Sequence, residues 1–313
     1  MPTRRLTRRS LLQTATIAAA GAALAPARRV FGADQALPLI TRAVPSSGEE
    51  LPVIGVGTNA FGTDDLETLA RIRSVLEQLP ALGGRVVDTA QSYGTSEAVI
   101  GRLVQGIGNR EALFLATKTA SQGSVSMADI DAAFVRLGTS KIDLLQVHNF
   151  NETDAVIPKL LELKAEGRIR YVGCSTSRDR QYADLMAAMQ KYPLDFIQVD
   201  YSIDNRSAAD EVLPLATDRS VAVLGNMPFG GRRNAASTFS RVAEVDLPDW
   251  AATIDVTSWA QFFLKYVVSH PAMTVAIPGT TKPHHLEDNL GAARGRLPDA
   301  HMRREMERYW DEI

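Results

Sequence analysis

Short runs of apolar residues recur along the chain at a regular spacing, and each run ends at a polar or small residue. The runs end near these eight positions: Gly57, Asp88, Lys118, His148, Ser175, Asp200, Asn226 and Gly279. The first seven endings are separated by 31, 30, 30, 27, 25 and 26 residues. That spacing accommodates one strand, one helix and two loops. The pattern therefore predicts an α/β fold, a (β/α)8 TIM barrel of parallel strands.

Three stretches between these runs have the apolar spacing of amphipathic helices, at 66–79, 126–137 and 154–166. Asp65 and Ser126 stand where an N-cap side chain is expected, and a glycine follows the second and the third stretch. In the first stretch, the spacing of three and four residues predicts that Leu66 belongs to the inward face.

Two segments interrupt the repeat. Residues 37–44 and 50–53 flank a Pro-Ser-Ser-Gly turn and predict a β-hairpin ahead of the barrel. The interval from Asn226 to Gly279 is 53 residues, about twice the others, and predicts a long loop after strand 7. Its glycine pair beside Arg232 and Arg233 suits a mobile loop that contacts phosphate, with a solvated basic turn as the alternative.

The amino-terminal segment has the pattern of an export signal. Basic residues precede a short Ala-, Thr- and Gly-rich stretch that is too short for a membrane span of about 20 apolar residues. Arg8-Arg9 followed by Ser-Leu-Leu resembles a twin-arginine signal. We expect a signal peptide at 1–33, cleaved after Ala27 or Ala33, with the twin-arginine export machinery as partner and the bacterial periplasm as destination. A basic disordered tail is the alternative.

Composition adds exclusions. The chain has 313 residues, of which 45% are hydrophobic, enough for one barrel domain at 38–313. A net charge of −2, from 34 basic and 36 acidic residues, gives no electrostatic reason to expect nucleic acid as partner. The single cysteine, Cys174, lies in an apolar run and is expected to be buried. The five histidines lack the helical spacing of a zinc hydrolase, so no metal is expected.

Four residues suited to one reaction lie at or near the ends of three consecutive runs: Asp88, Tyr93, Lys118 and His148. The carboxyl ends of barrel strands meet at one face, so these side chains are expected to converge. Reducing a carbonyl with hydride leaves charge on oxygen, and a tyrosine can supply the proton. A nearby ammonium favours the ionised phenol, a carboxylate holds the ammonium, and an imidazole can hydrogen-bond the substrate oxygen.

At these residues the sequence resembles the aldo-keto reductase superfamily, over roughly residues 38 to 293. The matching segments are Val86-Val-Asp-Thr-Ala-Gln-Ser-Tyr-Gly94 with Ser96-Glu97, Ala116-Thr-Lys-Thr119, Gln146-Val-His-Asn149, Tyr171-Val-Gly-Cys-Ser175, Phe196-Ile-Gln-Val-Asp-Tyr201, Val275-Ala-Ile-Pro-Gly279 and Leu286-Glu-Asp-Asn289. The resemblance implies a barrel whose bottom is plugged by the hairpin. It also implies hydride transfer between NAD(P)H and an aldehyde or ketone, as in carbonyl reductases and alcohol dehydrogenases.

The cofactor site is expected at the carboxyl end of the chain. The Gly55-Val-Gly57 segment lacks the third glycine of a Rossmann fingerprint, because Ala60 stands there. Threonines and Lys282 before a helix start are suited to phosphate. The resemblance implies that Ser175 and Gln198 hold the nicotinamide carboxamide. In full, the expected cofactor residues are Gly57, Thr58, Ser175, Thr176, Gln198, Asn226, Phe229, Gly279, Thr280, Lys282, His285, Asp288 and Asn289.

Three of these positions depart from the family pattern. Thr176 stands where asparagine is usual, Asn226 where an aromatic ring often stacks on the nicotinamide, and His285 where arginine often meets the 2′-phosphate. Phe229 is a candidate to replace the missing ring. The charge of Lys282 favours NADP, with NAD as the alternative.

Two other functions compete with a reductase. The first is an exported barrel protein that binds a dinucleotide or small ligand without turnover. The second is a barrel hydrolase, for which Asp88 and Asp200 are the strand-end acids. The substrate, a small carbonyl or alcohol, is left open, because variable loops carrying Asn59, Phe61, Asn149 and Trp250 are expected to form its pocket.

Overall fold

Ten strands form two sheets in the computed structural model, which describes residues 37–231 and 238–313. The first sheet is a hairpin, and the second contains eight parallel strands in chain order. The strands are β1 (Thr41–Ala43), β2 (Glu50–Pro52), β3 (Val56–Gly57), β4 (Val86–Asp88), β5 (Phe114–Lys118), β6 (Ile142–His148), β7 (Ile169–Ser175), β8 (Phe196–Asp200), β9 (Ala222–Asn226) and β10 (Val275–Ala276). The predicted α/β class with eight parallel strands is confirmed.

The eight-stranded sheet closes on itself. Parallel bridges join Ile54 to Ala276 and Gly57 to Gly279, and the Gly57 amide donates to the Pro278 carbonyl at 2.9 Å. A Cβ on Gly57 would lie 2.8 Å from the carbonyl oxygen of Ile277, so the closure requires glycine there. Seven of the eight predicted strand ends agree with the structure. Regular pairing in β10 ends at Ala276, before Gly279, because Pro278 has no N–H to continue the ladder.

Ten α-helices lie in the described ranges, most of them between consecutive barrel strands. They are α1 (Leu66–Ala81), α2 (Ser96–Ile107), α3 (Met127–Leu137), α4 (Thr153–Ala165), α5 (Tyr182–Lys191), α6 (Val212–Asp218), α7 (Thr238–Arg241), α8 (Trp259–Val268), α9 (Pro283–Gly291) and α10 (Ala300–Glu312). Short 3₁₀ helices span Arg110–Ala112, Asp179–Gln181, Ser207–Ala209 and Asp249–Ile254. None of the helices described here is long and apolar enough to cross a membrane.

The predicted helix starts agree with the caps. Asp65 accepts from the Thr68 amide, and Ser126 forms a reciprocal capping box with Asp129. The prediction for Leu66 was wrong, since its side chain is 82% exposed. The buried stripe of α1 is instead centred on Val75 and Leu76. At 3.6 residues per turn, Leu66 lies roughly 130° around the helix from that stripe.

The barrel interior changes character along the strands. Near the amino ends, the rings of Phe114, Tyr171 and Phe196 pack with centroids 5.3 to 6.0 Å apart. Residues an even number of positions apart on a strand share one face. Four positions further along β5 and β7, the same faces therefore present Lys118 and Ser175. An apolar floor thus supports polar groups at the carboxyl ends.

The hairpin contacts this apolar floor. β1 and β2 pair antiparallel, and the side chains of Val44 and Leu51 are fully buried in the same cluster as Phe114. In the connecting turn, Ser47 Oγ lies 2.7 Å from the Tyr171 hydroxyl, which donates to Glu49 Oε2 at 2.8 Å.

The long connection from β9 to α8 contains α7 and the 3₁₀ helix Asp249–Ile254. Arg232 and Arg233, predicted to contact phosphate, lie outside the described residues, as does the predicted signal peptide at 1–33. Cys174 is buried as expected, and burial raises the pKa of its thiol to about 12.

Close packing of α2 on α3 gives a stability prediction. A Cβ on buried Gly101 would lie 2.3 Å from the Arg136 carbonyl oxygen, whereas a Cβ on exposed Gly106 in the same helix meets only Arg73 Nη1 at 3.5 Å. We expect Gly101→Ala to destabilise the protein by about 1–3 kcal/mol through overpacking. Gly106→Ala should stabilise it by about 0.5–1 kcal/mol. Urea unfolding of both variants checks this, and equal effects would contradict the packing argument.

Candidate active site

A buried ion pair forms the base of the site. Lys118 ends β5, Asp88 ends β4, and the side chains of both are only 2% exposed. Lys118 Nζ donates to Asp88 Oδ2 at 2.7 Å and to the Thr89 carbonyl at 2.8 Å. Burial opposes the charge on Lys118, but Asp88 and Tyr93 together raise its pKa above the usual value. The lysine is therefore held in place as an ammonium.

Tyr93 lies above this ion pair and next to His148. The Lys118 ammonium is 5.2 Å from the centroid of the Tyr93 ring, which is half-buried in the loop after β4. The Tyr93 and His148 rings lie edge to face with centroids 6.3 Å apart. The structure thus brings together all four side chains predicted to act in catalysis, Asp88 included.

His148 is held as a neutral imidazole. Burial, together with the charges of Lys118 and Arg178, lowers its pKa to about 3. Its Nδ1 atom lies 3.3 Å from Ser92 Oγ. A neutral ring with one nitrogen engaged this way can hydrogen-bond a substrate oxygen without competing with Lys118 for charge.

A network of amides supports the carboxylate from within the barrel. Gln198 Nε2 donates to Asp88 Oδ2 at 3.3 Å, and Gln146 Nε2 donates to Gln198 Oε1 at 3.0 Å. The sequence argument assigned Gln198 to the nicotinamide but missed Gln146. Its position two residues before His148 on one strand was the available signal, because both residues share the interior face.

The four catalytic residues open into one cleft with a volume of about 1420 Å³. This exceeds the roughly 300–1,000 Å³ of common ligand pockets, so there is room for more than a small substrate. Eight of the predicted cofactor residues line it: Gly57, Thr58, Ser175, Thr176, Gln198, Asn226, Phe229 and Gly279.

The other five predicted cofactor residues are not part of this lining and lie where β10 leads into α9. They are Thr280, Lys282, His285, Asp288 and Asn289. Lys282 is the N-cap of α9 and its amide donates to Thr280 Oγ1 at 3.0 Å. The Asp288 carboxylate accepts from Ser258 Oγ at 2.8 Å and Gln261 Nε2 at 2.8 Å, so it already joins α9 to α8.

Two observations suit this region to a dinucleotide. The Asn226 side chain donates to the Thr176 carbonyl at 3.0 Å, while its Oδ1 is buried without a hydrogen-bond partner among the described residues. Such an acceptor matches an amide donor like that of a nicotinamide. A Cβ on Gly279 would lie 3.1 Å from Asn59 Oδ1, so glycine keeps this wall of the cleft clear.

Residues expected in the substrate pocket divide into two groups. Asn59 and Asn149 line the cleft. Phe61 is fully buried in the hydrophobic core, and Trp250 packs on Phe262 with ring centroids 5.8 Å apart. Removing these large rings from water accounts for their inward placement. No group of His, Cys, Asp and Glu suited to a metal occurs within the two described ranges.

Comparisons with known proteins agree with this geometry. The family model described as "Aldo/keto reductase family" matches residues 53–307. The chain belongs to this family. It is an oxidoreductase of the aldo-keto reductase type, and nothing in the comparisons favours a non-catalytic barrel.

Individual relatives are distant but similar over most of their length. Aldo-keto reductase YhdN of Bacillus subtilis is 28% identical over 295 residues, 78% of this chain and 86% of that protein. Aldo-keto reductase yakc [NADP(+)] of Schizosaccharomyces pombe is 26% identical over 275 residues, covering 73% and 79%. A solved thermostable aldo-keto reductase with the inhibitor epalrestat is 26% identical, with a TM-score of 0.70, covering 88% of this chain and 99% of that chain.

The buried ion pair predicts a specific pattern in unfolding measurements. Asp88→Asn leaves the Lys118 ammonium buried without its counter-ion and should cost about 3–5 kcal/mol in the free energy of unfolding. Lys118→Met should cost a similar amount. The double variant should recover most of the loss, because both charges are gone. Urea unfolding of the three variants tests this, and additive losses in the double variant would contradict the coupling.

Proposed function

We propose that the protein transfers hydride between NADPH and an aldehyde or ketone, acting as a carbonyl reductase or alcohol dehydrogenase, with Tyr93 as proton donor. The observation that carries the proposal is the arrangement of Tyr93 between the buried Asp88–Lys118 pair and a neutral His148. In this arrangement a proton donor, a fixed positive charge and a hydrogen-bonding ring face the same cleft.

Each side chain has a distinct task. His148 hydrogen-bonds the carbonyl oxygen and sets its direction, while Tyr93 donates its phenolic proton to that oxygen. The Lys118 ammonium stabilises the phenolate that remains, and Asp88 keeps Lys118 charged. Bound NADPH supplies the hydride. For the reverse reaction, the same groups remove the proton from an alcohol.

NADP as cofactor rests on charge at the start of α9. Lys282, at its N-cap, combines an ammonium with the positive end of a helix dipole. Burial and the neighbouring His284 and Lys282 lower the pKa of His285, which leaves Lys282 as the permanent charge of this turn. The NADP(+) in the name of the fission yeast relative supports the same choice.

Tyr93 gives the direct test of the mechanism. We expect Tyr93→Phe to lower kcat for reduction of benzaldehyde or glyceraldehyde by at least about a hundredfold, in line with general acid catalysis. Affinity for NADPH should change little. Tyr192→Phe is the matched control, because the Tyr192 hydroxyl contacts only Asp154 at the surface among printed neighbours of the described chain. Near wild-type turnover by Tyr93→Phe would rule out Tyr93 as the donor.

Lys282 gives the test of cofactor choice. We expect NADPH to bind more tightly than NADH, and Lys282→Ala to weaken NADPH binding by about tenfold or more with a smaller effect on NADH. Fluorescence titration of both nucleotides measures this, with Lys141→Ala as the control for loss of an exposed lysine. Equal affinities of the wild type for the two nucleotides would contradict the assignment.

We further propose roles for the two segments that interrupt the repeat. The β1–β2 hairpin plugs the bottom of the barrel, supported by the burial of Val44 and Leu51 and the Ser47–Tyr171 contact. The loop after β9 folds over the cofactor, supported by the position of residues 227–231 in the cleft wall.

Export by the twin-arginine route to the bacterial periplasm is a separate proposal, which rests on the Arg8-Arg9-Ser-Leu-Leu pattern. This route carries folded proteins, so the reductase would leave the compartment that regenerates its cofactor. Tight retention of the dinucleotide, or a redox partner outside the cytoplasm, would then be required.

Fractionation of expressing cells tests the export proposal. We expect the wild type in the periplasm with 1–33 removed, and the Arg8→Lys, Arg9→Lys variant in the cytoplasm. Arg4→Lys, Arg5→Lys is the control, because it changes a neighbouring arginine pair outside the pattern. Uncleaved wild-type protein in the cytoplasm would contradict export without touching the assignment of the reaction.

A further inference from the structure

Arg178 lies in the turn after β7 and lines the catalytic cleft. Its side chain is exposed, and within residues 37–231 and 238–313 the guanidinium forms no hydrogen bond or ion pair. Other arginines around the barrel are paired with carboxylates, as Arg110 is with Asp143 and Arg136 with Glu97. Exposed arginines are common, so the place of Arg178 beside the reacting groups is what distinguishes it.

Arg178 belongs to the substrate end of the cleft. Its positive charge is among the causes that lower the pKa of His148, after burial and Lys118, so the guanidinium lies within electrostatic reach of the catalytic imidazole. Lys282, the expected phosphate contact of the cofactor, is not part of the same wall. The cation of Arg178 is therefore available to a molecule whose carbonyl contacts His148.

The cleft wall near the catalytic residues is polar. The lining residues there that carry uncharged polar side chains are Asn59, Ser92, Ser121, Gln122, Asn149 and Ser177. An apolar substrate would remove these groups from water without replacing their hydrogen bonds, at a cost for each. A substrate with its own polar groups avoids that cost, so the wall favours a hydrophilic carbonyl compound.

We propose that Arg178 binds an anionic group of the substrate, so that the natural substrate is a carbonyl compound with a carboxylate or phosphate. The inference rests on the proposed reductase activity. The planar guanidinium can donate two hydrogen bonds to either anion. Arg180 also lines the cleft and adds charge, while Asp179 between them offsets one of the two, which leaves the turn with a net charge of +1.

Matched substrate pairs test the proposal. The carboxylate arm compares 4-carboxybenzaldehyde with benzaldehyde, and the phosphate arm compares glyceraldehyde 3-phosphate with glyceraldehyde. For each pair the measured quantity is the ratio of kcat/KM for the anionic and the neutral member. We expect Arg178→Gln to lower this ratio by about tenfold or more in at least one arm, as for loss of a charge-assisted hydrogen bond. Arg178→Lys should fall between the two.

Controls separate this proposal from its neighbours. Arg102→Gln, on the exposed face of α2 away from the cleft, should leave the ratio at the wild-type value. An unchanged ratio in Arg178→Gln in both arms would overturn the assignment. A loss of NADPH affinity in Arg178→Gln would place the residue in the cofactor site instead and overturn it too. Failure of the wild type to reduce all four compounds would count against the proposed function itself.

Discussion

The buried ion pair between Lys118 and Asp88 is the interaction on which the site depends. Taking two charges out of water costs several kcal/mol for each ion, and an apolar pair of similar volume would be at least as stable. Stability alone therefore does not explain the pair. Its position, with the ammonium 5.2 Å from the Tyr93 ring and the carboxylate held by Gln198, accounts for it as a fixed positive charge beside the proton donor.

Barrel geometry made this pair predictable from the sequence. The register of parallel strands places the carboxyl ends of β4, β5 and β6 side by side, so that Asp88, Lys118 and His148 meet whatever the intervening helices contain. Regular apolar runs also gave seven strand ends and the caps at Asp65 and Ser126. These features follow from local periodicity, which each segment of sequence carries by itself.

Features that depend on contacts between distant segments could not be predicted in this way. Leu66 fits a helical spacing but is exposed, because the barrel surface meets the stripe centred on Val75. Phe61 reads as a pocket residue but is drawn into the core. Asp288 reads as a cofactor contact, and its carboxylate is already bound to Ser258 and Gln261 from another helix. In each case tertiary packing decides which partner a side chain meets.

Backbone strain is concentrated where specificity is set. Asn149, Phe150 and Glu152 after β6, and Met227 after β9, adopt positive φ values of 48° to 59°, which non-glycine residues rarely adopt. Asn149 and Met227 line the cleft. The Asn149 carbonyl accepts from Gln181 Nε2 at 3.0 Å, and the Gln181 Oε1 accepts from Thr176 Oγ1 at 2.6 Å, so a hydrogen-bonded bridge fixes the strained turn. The strands thus supply a chemistry common to the family, while these rigidly held loops determine which carbonyl compound reaches it.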